Sequence, residues 1–235
     1  MNDKDIDEIL GRAAEAPHKV DAALLDRVTA SIGASLRPVR PMAPSWKLAS
    51  VLFVISMGLA VAAASALGLY GIQKLSVAES WSIFTALVIF TWLAARACVG
   101  EMTPGGSSVM RNPAVLLVVV ILAWLALDAI CFRDYQMDFF VRQGIPCFRA
   151  GIVVAIPAGI ASWLVLRRGF AVNRNAAGLA AGTLAGLAGL TMLEIHCPNF
   201  HAMHIMVWHT AVVPVSALVG TLASGAGSRP ALFKT

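Results

Sequence analysis

Side chains that bind soft metal ions are concentrated in one short polar segment, residues 196–204, and in the apolar stretch that follows it. They are His196, Cys197, His201, His204 and His209. Imidazole and thiolate groups are ligands of zinc, copper and softer heavy metals. The spacing matches no standard closed zinc site, so two interpretations stay open: a metal-binding segment, or histidines that form hydrogen bonds at a membrane surface.

The elements that must position this segment are long and apolar. Hydrophobic residues make up 58% of the 235-residue chain and charged residues 13%, about half the charge of an ordinary soluble domain. Uninterrupted apolar stretches, each close to the roughly 20 residues that cross a bilayer, run Leu48 to Ile72, Ser80 to Ala97, Pro113 to Phe132, Phe148 to Leu166, Ala176 to Ile195 and Ile205 to Ala223. The predicted fold is all-α, a polytopic membrane protein with a bundle of six transmembrane helices at residues 47–226.

Positive charge is divided unevenly between the loops. Lys and Arg concentrate before the first stretch, in the second and fourth loops and after the last stretch, while Lys74, Arg133, Arg142 and Arg149 lie elsewhere. Because cytoplasmic loops retain Lys and Arg, both termini are predicted to be cytoplasmic, in a bacterial inner membrane. The net charge of +5 is attributed to topology and contact with the lipid bilayer. No basic patch interleaved with aromatic residues indicates direct nucleic-acid binding.

This topology separates the cysteines into two groups. Cys98 falls at the cytoplasmic end of the second span, where a buried thiol behaves as a small hydrophobe. Cys131, Cys147 and Cys197 fall at the outer ends of spans, where an oxidising compartment permits a disulfide. Three thiols cannot all pair within one chain, so at least one stays available for redox or metal chemistry.

Small and charged residues interrupt the apolar spans at a few positions. Gly178, Gly182 and Gly186 recur every four residues in the fifth span, which predicts close helix packing and offers a face for a homodimer. Three ionisable residues share one depth near the outer ends of spans: Asp128, Arg149 and Glu194. Such groups usually pair or line a polar cavity, so an ion pair of Asp128 with Arg149 and a proton or ion path are both open.

Residues 1–46 are predicted to form a cytoplasmic region with two short helices divided at Pro17, then a Pro-rich linker; residues 227–235 form a cytoplasmic tail. Asp21 can cap the second helix. Its apolar stripe consists of Leu24, Leu25, Val28, Ile32 and Leu36. An apolar stripe of this kind either docks onto a soluble protein or lies flat on the bilayer.

Several of these features together resemble a known family. Six spans with both ends inside, a Cys at the outer start of the fourth span, and His196-Cys197-Pro198 followed by Trp208-His209 are similar to the NrsF-like membrane anti-sigma factors. The resemblance covers approximately Trp46 to Ala223. The chain departs from the family pattern in its additional helix before Pro17 and in lacking an Arg-rich C-terminus.

The resemblance implies a regulator that works by sequestration. In that family the cytoplasmic N-terminal segment holds an extracytoplasmic-function sigma factor, and a pair of outer cysteines takes part in sensing heavy-metal or oxidative stress. By position this pair is Cys147 and Cys197, with Cys131 as a further outer thiol. Sigma-factor binding is assigned to the stripe from Leu24 to Leu36. A metal ion or oxidant at the cysteines would shift spans four to six and release the sigma factor.

Two other functions compete with this interpretation. The first is metal handling, by a permease or a metallo-oxidoreductase subunit that binds its ion through His196, Cys197, His201 and His204. The second is a scaffold with interfacial histidines and cysteines. The sequence shows no nucleotide-binding loop, paired catalytic carboxylates or nucleophile elbow, so no enzyme is predicted. No cofactor is expected to be required, and transient binding of zinc, copper or a heavy metal is allowed.

Overall fold

The computed structural model describes residues 21–35, 43–102, 112–167, 169 and 173–226, and every structural statement below concerns that part of the chain. The predicted helix before Pro17, Leu36 of the apolar stripe, most of the Pro-rich linker and the tail at 227–235 lie outside it. The chain divides into two compact units, Met1–Pro41 and Met42–Thr235.

The first unit contributes one described helix, α1 (Ala22–Ser35). Asp21 precedes it, and its carboxylate accepts a hydrogen bond from the Ala23 N–H at 2.9 Å, as expected for a residue that caps a helix start. Four apolar side chains of the stripe are between 46% and 52% exposed: Leu24, Leu25, Val28 and Ile32. The apolar stripe of α1 is thus an exposed surface within its unit.

The second unit is a bundle of long apolar helices. Its elements are α2 (Ser45–Leu67), α3 (Val77–Gly100), α4 (Pro113–Cys131), α5 (Phe140–Leu166), α6 (Arg174–His196), α7 (Ala202–His204), a π-helix (Ile205–His209) and α8 (Val212–Ala226). Six segments of the described chain are long and apolar enough to cross a membrane, namely α2 to α6 and the last span, Ala202–Gly225. The prediction of an all-helical protein with six spans is confirmed, and the protein is a multi-pass membrane protein.

The fourth span begins earlier than the sequence predicts. The prediction placed its start at Phe148 because the uninterrupted apolar stretch begins there. In the structure α5 begins at Phe140 and runs through both Pro146 and Pro157. A proline removes only one backbone hydrogen bond, and membrane helices tolerate that loss where neighbouring groups pack around the site.

The helix α6 lies at the centre of the bundle. Of its most apolar 18 residues, 89% are buried within the protein, and α6 contacts each of the other spans. The glycines of its four-residue repeat lie against α8: Gly178 against Gly220 and Ser224, Gly182 against Ser216 and Ala217, and Gly186 against Val213. Because these positions have no side chain, the two backbones approach closely, as small residues allow in membrane helices.

One end of the bundle carries the buried Asp, Glu and His residues of the described spans, and we call it the site end. Here α4 ends, α5 begins, α6 ends and the last span begins. The connection between α2 and α3 closes over the end of α6, where the N–H groups of Gly71 and Ile72 both donate to the Ile195 carbonyl at 3.1 Å. A Cβ atom at Gly71 would meet the Cys197 and Glu194 carbonyls within 2.8 Å, so only glycine fits this cap of the helix terminus.

Candidate functional site

Two cysteines from different helices meet at the site end. Cys147 follows Pro146 in α5, and Cys197 follows the last residue of α6, where its N–H donates to the Leu193 carbonyl at 2.7 Å. Their Sγ atoms lie 3.5 Å apart, and both are free thiols. Cys197 is buried and Cys147 is half-buried. The pair therefore connects α5 to the end of the central helix.

Two histidines of the last span complete a compact cluster with these thiols. Nε2 of His204 lies 3.5 Å from Sγ of Cys197, and the rings of His204 and His209 are 5.1 Å apart between centroids. One ligand atom from each of Cys147, Cys197, His204 and His209 lies within 4.8 Å of the other three. We call these four residues the thiol–imidazole cluster.

The π-helix is what brings the two histidines together. In an α-helix, residues five apart point about 140° away from each other. Between Ile205 and His209 the turn is wider, and the Thr210 N–H donates to the Ile205 carbonyl at 3.3 Å, the five-residue bond of a π-turn. The wider turn places His209 nearly in line with His204, so both rings face the same thiols.

A buried carboxylate orients one of these imidazoles. Oε1 of Glu194 lies 2.8 Å from Nδ1 of His209, and both side chains are at most 1% exposed. A carboxylate oxygen at this distance accepts a hydrogen bond from Nδ1, which leaves Nε2 as the ring nitrogen that can bind a ligand. Nε2 of His209 has no hydrogen-bond partner among the described residues, and neither has Nδ1 of His204.

Trp208 fixes the position of Cys147 relative to the histidines. Its ring lies 5.4 Å from Phe140 and 6.5 Å from Phe148, both on α5. Between these two rings, the indole occupies the space above Gly144, where any Cβ atom would overlap it. The same packing holds α5 against the last span and therefore sets the distance between Cys147 and the two imidazoles.

The thiol of Cys197 is held in its protonated form. The pKa of Cys197 is raised above its ordinary value, first by the hydrogen bond with Cys147 and then by burial, while His204 and His209 oppose the shift. A metal ion or an oxidant that engages this thiol must therefore displace its proton.

Three residues singled out by the sequence lie outside the cluster. Nδ1 of His196 lies 2.8 Å from the Gly68 carbonyl, in the connection that covers α6. His201 pairs with Asp134 at 3.0 Å. Cys131, the last residue of α4, is half-buried and is not a member of the cluster. His196 and His201 thus contact neighbouring connections and not the cluster.

The predicted ion pair of Asp128 with Arg149 is not formed. Arg149 is exposed, whereas Asp128 is fully buried and neither of its carboxylate oxygens has a hydrogen-bond partner among the described residues. Asp128 instead interacts electrostatically with Glu194 and His209. The equal depth of Asp128 and Glu194 was visible in the sequence, but the helical phase that turns Arg149 away from them was not.

Glu194, Trp208 and Gly144 are the site residues that sequence reasoning did not assign to the cluster. The sequence carried a signal only for the irregular backbone that brings His204 and His209 together. Pro214 lacks the N–H that would bond the Thr210 carbonyl, and the Val213 N–H bonds that carbonyl instead, at 3.1 Å. A proline at this distance from the histidines indicates irregular backbone just before it, which is where the π-helix lies.

The fold and the cluster together define a class: a multi-pass helical membrane protein with a buried pair of thiols and a pair of imidazoles at one end of the bundle. The chain belongs to the NrsF family, described as "Negative regulator of sigma F", whose family model matches residues 33–227. The match covers every span and all four cluster residues. Searches of curated proteins and of solved structures give no match.

Family membership confirms the resemblance stated from the sequence. The protein is a negative regulator of a sigma factor, its partner is a sigma factor, and its family is one of regulators. The match begins at residue 33, so the described stripe residues of α1 precede it: Leu24, Leu25, Val28 and Ile32.

Proposed function

We propose that this protein is an anti-sigma factor of the bacterial inner membrane, which holds an extracytoplasmic-function sigma factor through its N-terminal region and releases it when Cys147 and Cys197 react. The observation that carries the proposal is the 3.5 Å separation of the two thiols. They belong to α5 and α6, which pack against each other and both contact the rest of the bundle.

Two kinds of signal act on such a pair. An oxidant that accepts two electrons converts the two thiols into a disulfide with the loss of two protons, and the sulfur atoms then move from 3.5 Å to about 2.05 Å. A thiophilic heavy-metal ion replaces the same two protons and is bound by both sulfurs. Either reaction changes how the start of α5 is placed against the end of α6.

The central helix is suited to transmit this change. The helix α6 carries the change away from the site end because it contacts every other span. At Gly182 and Gly186 its backbone lies directly against α8, so a shift or rotation of one helix must move the other. Release of a bound partner needs a coupling free energy of only about 1 to 3 kcal/mol between the two sites.

The apolar stripe of α1 is the surface to which we assign sigma-factor binding. Leu24, Leu25 and Val28 are about half exposed on a capped helix, the arrangement of an amphipathic helix that docks into a groove of a soluble partner. Lys and Arg are concentrated in the terminal regions and in the loops on the same side. Under the positive-inside rule, α1 is cytoplasmic and the site end faces outward.

The proposal is tested by co-purification from solubilised membranes. The intact wild-type protein is expected to retain a sigma subunit and to release it after treatment with a cadmium salt or diamide. The double variant Cys147→Ser/Cys197→Ser is expected to retain the subunit under both treatments. Cys131→Ser is the matched control, and it should respond as the wild type does. A double variant that still releases the sigma subunit, while present in the membrane at normal level, refutes the sensing role.

The buried cluster of four metal-binding residues also favours a second function, metal handling. A permease would move the ion across the membrane, and an oxidoreductase subunit would use the bound ion in a redox reaction at the cluster. Reconstitution in vesicles separates a permease from a regulator. The anti-sigma proposal predicts no zinc or copper flux above that of empty vesicles, whereas a permease predicts flux that is lost in Cys197→Ser.

A further inference from the structure

We infer that the thiol–imidazole cluster is a four-coordinate site for a d10 metal ion of the zinc class, and that Glu194 is a positioning residue of this site. The inference rests on the proposed function, because the two proposed sensing thiols are half of the ligand set. It deepens that function by adding His204 and His209 as ligands.

The distances within the cluster fit one tetrahedral ion. With bonds of about 2.3 Å to sulfur and about 2.0 Å to nitrogen, the ligand atoms around zinc lie about 3.3 to 3.8 Å from each other. The two Sγ atoms are 3.5 Å apart, Nε2 of His204 is 3.5 Å from Sγ of Cys197, and no pair of ligand atoms exceeds 4.8 Å. Small side-chain rotations therefore bring all four atoms into coordination.

An unpartnered nitrogen is an independent sign of a ligand. His209 is 1% exposed and its Nε2 has no hydrogen-bond partner in the described chain, although buried polar atoms are nearly always partnered. His209 is also close enough to Cys197 for the two side chains to interact. An ion held between them would satisfy the lone pair on this nitrogen.

The position of Glu194 is that of a carboxylate behind a metal-bound histidine. Metal-ligating histidines usually donate their second ring N–H to a carboxylate or carbonyl, which fixes the ring and makes the ligating nitrogen more basic. Glu194 accepts from Nδ1 of His209 at 2.8 Å. It leaves Nε2 as the ring nitrogen that is available to the ion, and it does not contact the ion itself.

Charge favours the same ligand class. Two thiolates cancel the charge of a divalent cation, so the loaded core is neutral in surroundings where Cys197, His204 and His209 are all buried. A hard cation such as Mg²⁺ prefers oxygen ligands and six-fold geometry, whereas two sulfurs and two imidazole nitrogens suit zinc and its soft relatives. When the ion binds, the two thiols lose their protons and no electrons are transferred.

The test uses the full-length protein, reduced and purified in detergent, with Co²⁺ as the spectroscopic probe. The expected result is one Co²⁺ per chain, with sulfur-to-cobalt charge-transfer bands in the near ultraviolet and intense visible bands of a tetrahedral centre, all removed by Zn²⁺. His209→Ala is expected to lose the tetrahedral visible bands. His196→Ala and His201→Ala are the matched controls and should retain them, because these histidines have other partners.

Glu194→Gln separates positioning from folding. Its Zn²⁺ affinity is expected to fall about 10- to 100-fold, as for other carboxylates behind metal-bound histidines, while the stoichiometry stays at one ion per chain. Absence of the cobalt bands in the folded wild type overturns this inference. The proposed function is tested by a separate experiment. Loss of sigma-factor release in Cys147→Ser/Cys197→Ser supports a dithiol sensor even when no ion binds.

Discussion

The spans α4 and α6 show that hydrophobicity and burial do not go together in this bundle. The more hydrophobic of the two by mean hydropathy is α4, yet only 17% of its most apolar stretch is buried within the protein, against 89% for α6. The side chains of α4 are mainly Leu, Val and Ile, whereas those of α6 are mainly Gly, Ala and Leu. Lipid is as apolar as leucine, so the small residues that let backbones approach decide which helix lies inside.

The peripheral position of α4 and the central position of α6 also distinguish the two buried acidic residues, Asp128 on α4 and Glu194 on α6. On α4 the fully buried side chains recur every four residues, at Val120, Trp124 and Asp128, so that helix turns one narrow stripe inward. On α6 all sides are inward, and Glu194 finds a partner in His209. A central helix can thus place a side chain between several neighbours, and it is the central helix whose end carries the thiol–imidazole cluster.

The largest expected effect comes from adding volume to the central helix. Gly182→Leu would force a side chain into the backbone of α8, since a Cβ atom there already lies 2.7 Å from Cα of Ala217. We expect stability to fall by about 3 kcal/mol or more, measured as a lower thermal midpoint in detergent or as loss of monodisperse protein. Val118→Leu on α4, a residue that is 53% exposed, should change it by less than about 0.5 kcal/mol. Equal effects of the two variants would contradict the comparison.

The next effect tests the packing of α5 at the site end. Gly144→Ala introduces a methyl group where the Trp208 indole lies. We expect a loss of about 1 to 3 kcal/mol and slower disulfide formation between Cys147 and Cys197 under a mild oxidant. Gly159→Ala on the same helix is the control. Its Cβ atom would lie 3.6 Å from the Ala185 Cβ, and the expected change is neutral or stabilising by at most about 1 kcal/mol.

A smaller effect sharpens the comparison between the two acidic residues. Glu194→Gln weakens a charge-assisted bond to His209, and we expect a loss of about 1 kcal/mol. Asp128→Asn replaces a buried carboxyl group that interacts unfavourably with Glu194 by a neutral amide, and we expect a gain of about 1 kcal/mol. The thermal midpoints of the two variants should therefore move in opposite directions, and a shift of both in the same direction counts against this account of α4 and α6.

Much of this architecture could be predicted from the sequence because long apolar runs have few alternatives to a membrane helix. The six spans follow from that rule. The close packing of the four-residue glycine repeat follows from its small residues, but the sequence does not identify α8 as the partner helix. The start of α5 was missed because a proline is compatible with either a helix start or a helix interior, and only the packing of its neighbours decides between them.

The cluster itself was only partly predictable. Cys147 and Cys197 were predicted to act as a pair from the family resemblance, because 50 residues separate them and no local sequence rule brings them together. His204 and His209 were predicted as metal ligands because the segment is rich in His and Cys. A spacing of five residues, however, places them on different faces of an α-helix. Their convergence depends on a π-helix that Pro214 alone hints at. His196 and His201 have the same composition signal, yet their neighbours are the Gly68 carbonyl and Asp134.

The smallest effect on the bundle is expected from substitutions in α1. We place α1 in water, where exposed apolar side chains favour burial against a partner. A partner must cover Leu24 and Val28 if α1 binds a sigma factor, because these side chains are 51% and 46% exposed. Leu24→Asp/Val28→Asp should change the free energy of unfolding of the bundle by less than about 0.5 kcal/mol. The same variant should reduce co-purification of the sigma subunit at least tenfold. Ala23→Asp/Ala30→Asp adds the same two charges on the opposite face of α1 and should keep the subunit. Retention by Leu24→Asp/Val28→Asp would move sigma-factor binding to residues 33–227, the part that the family model matches.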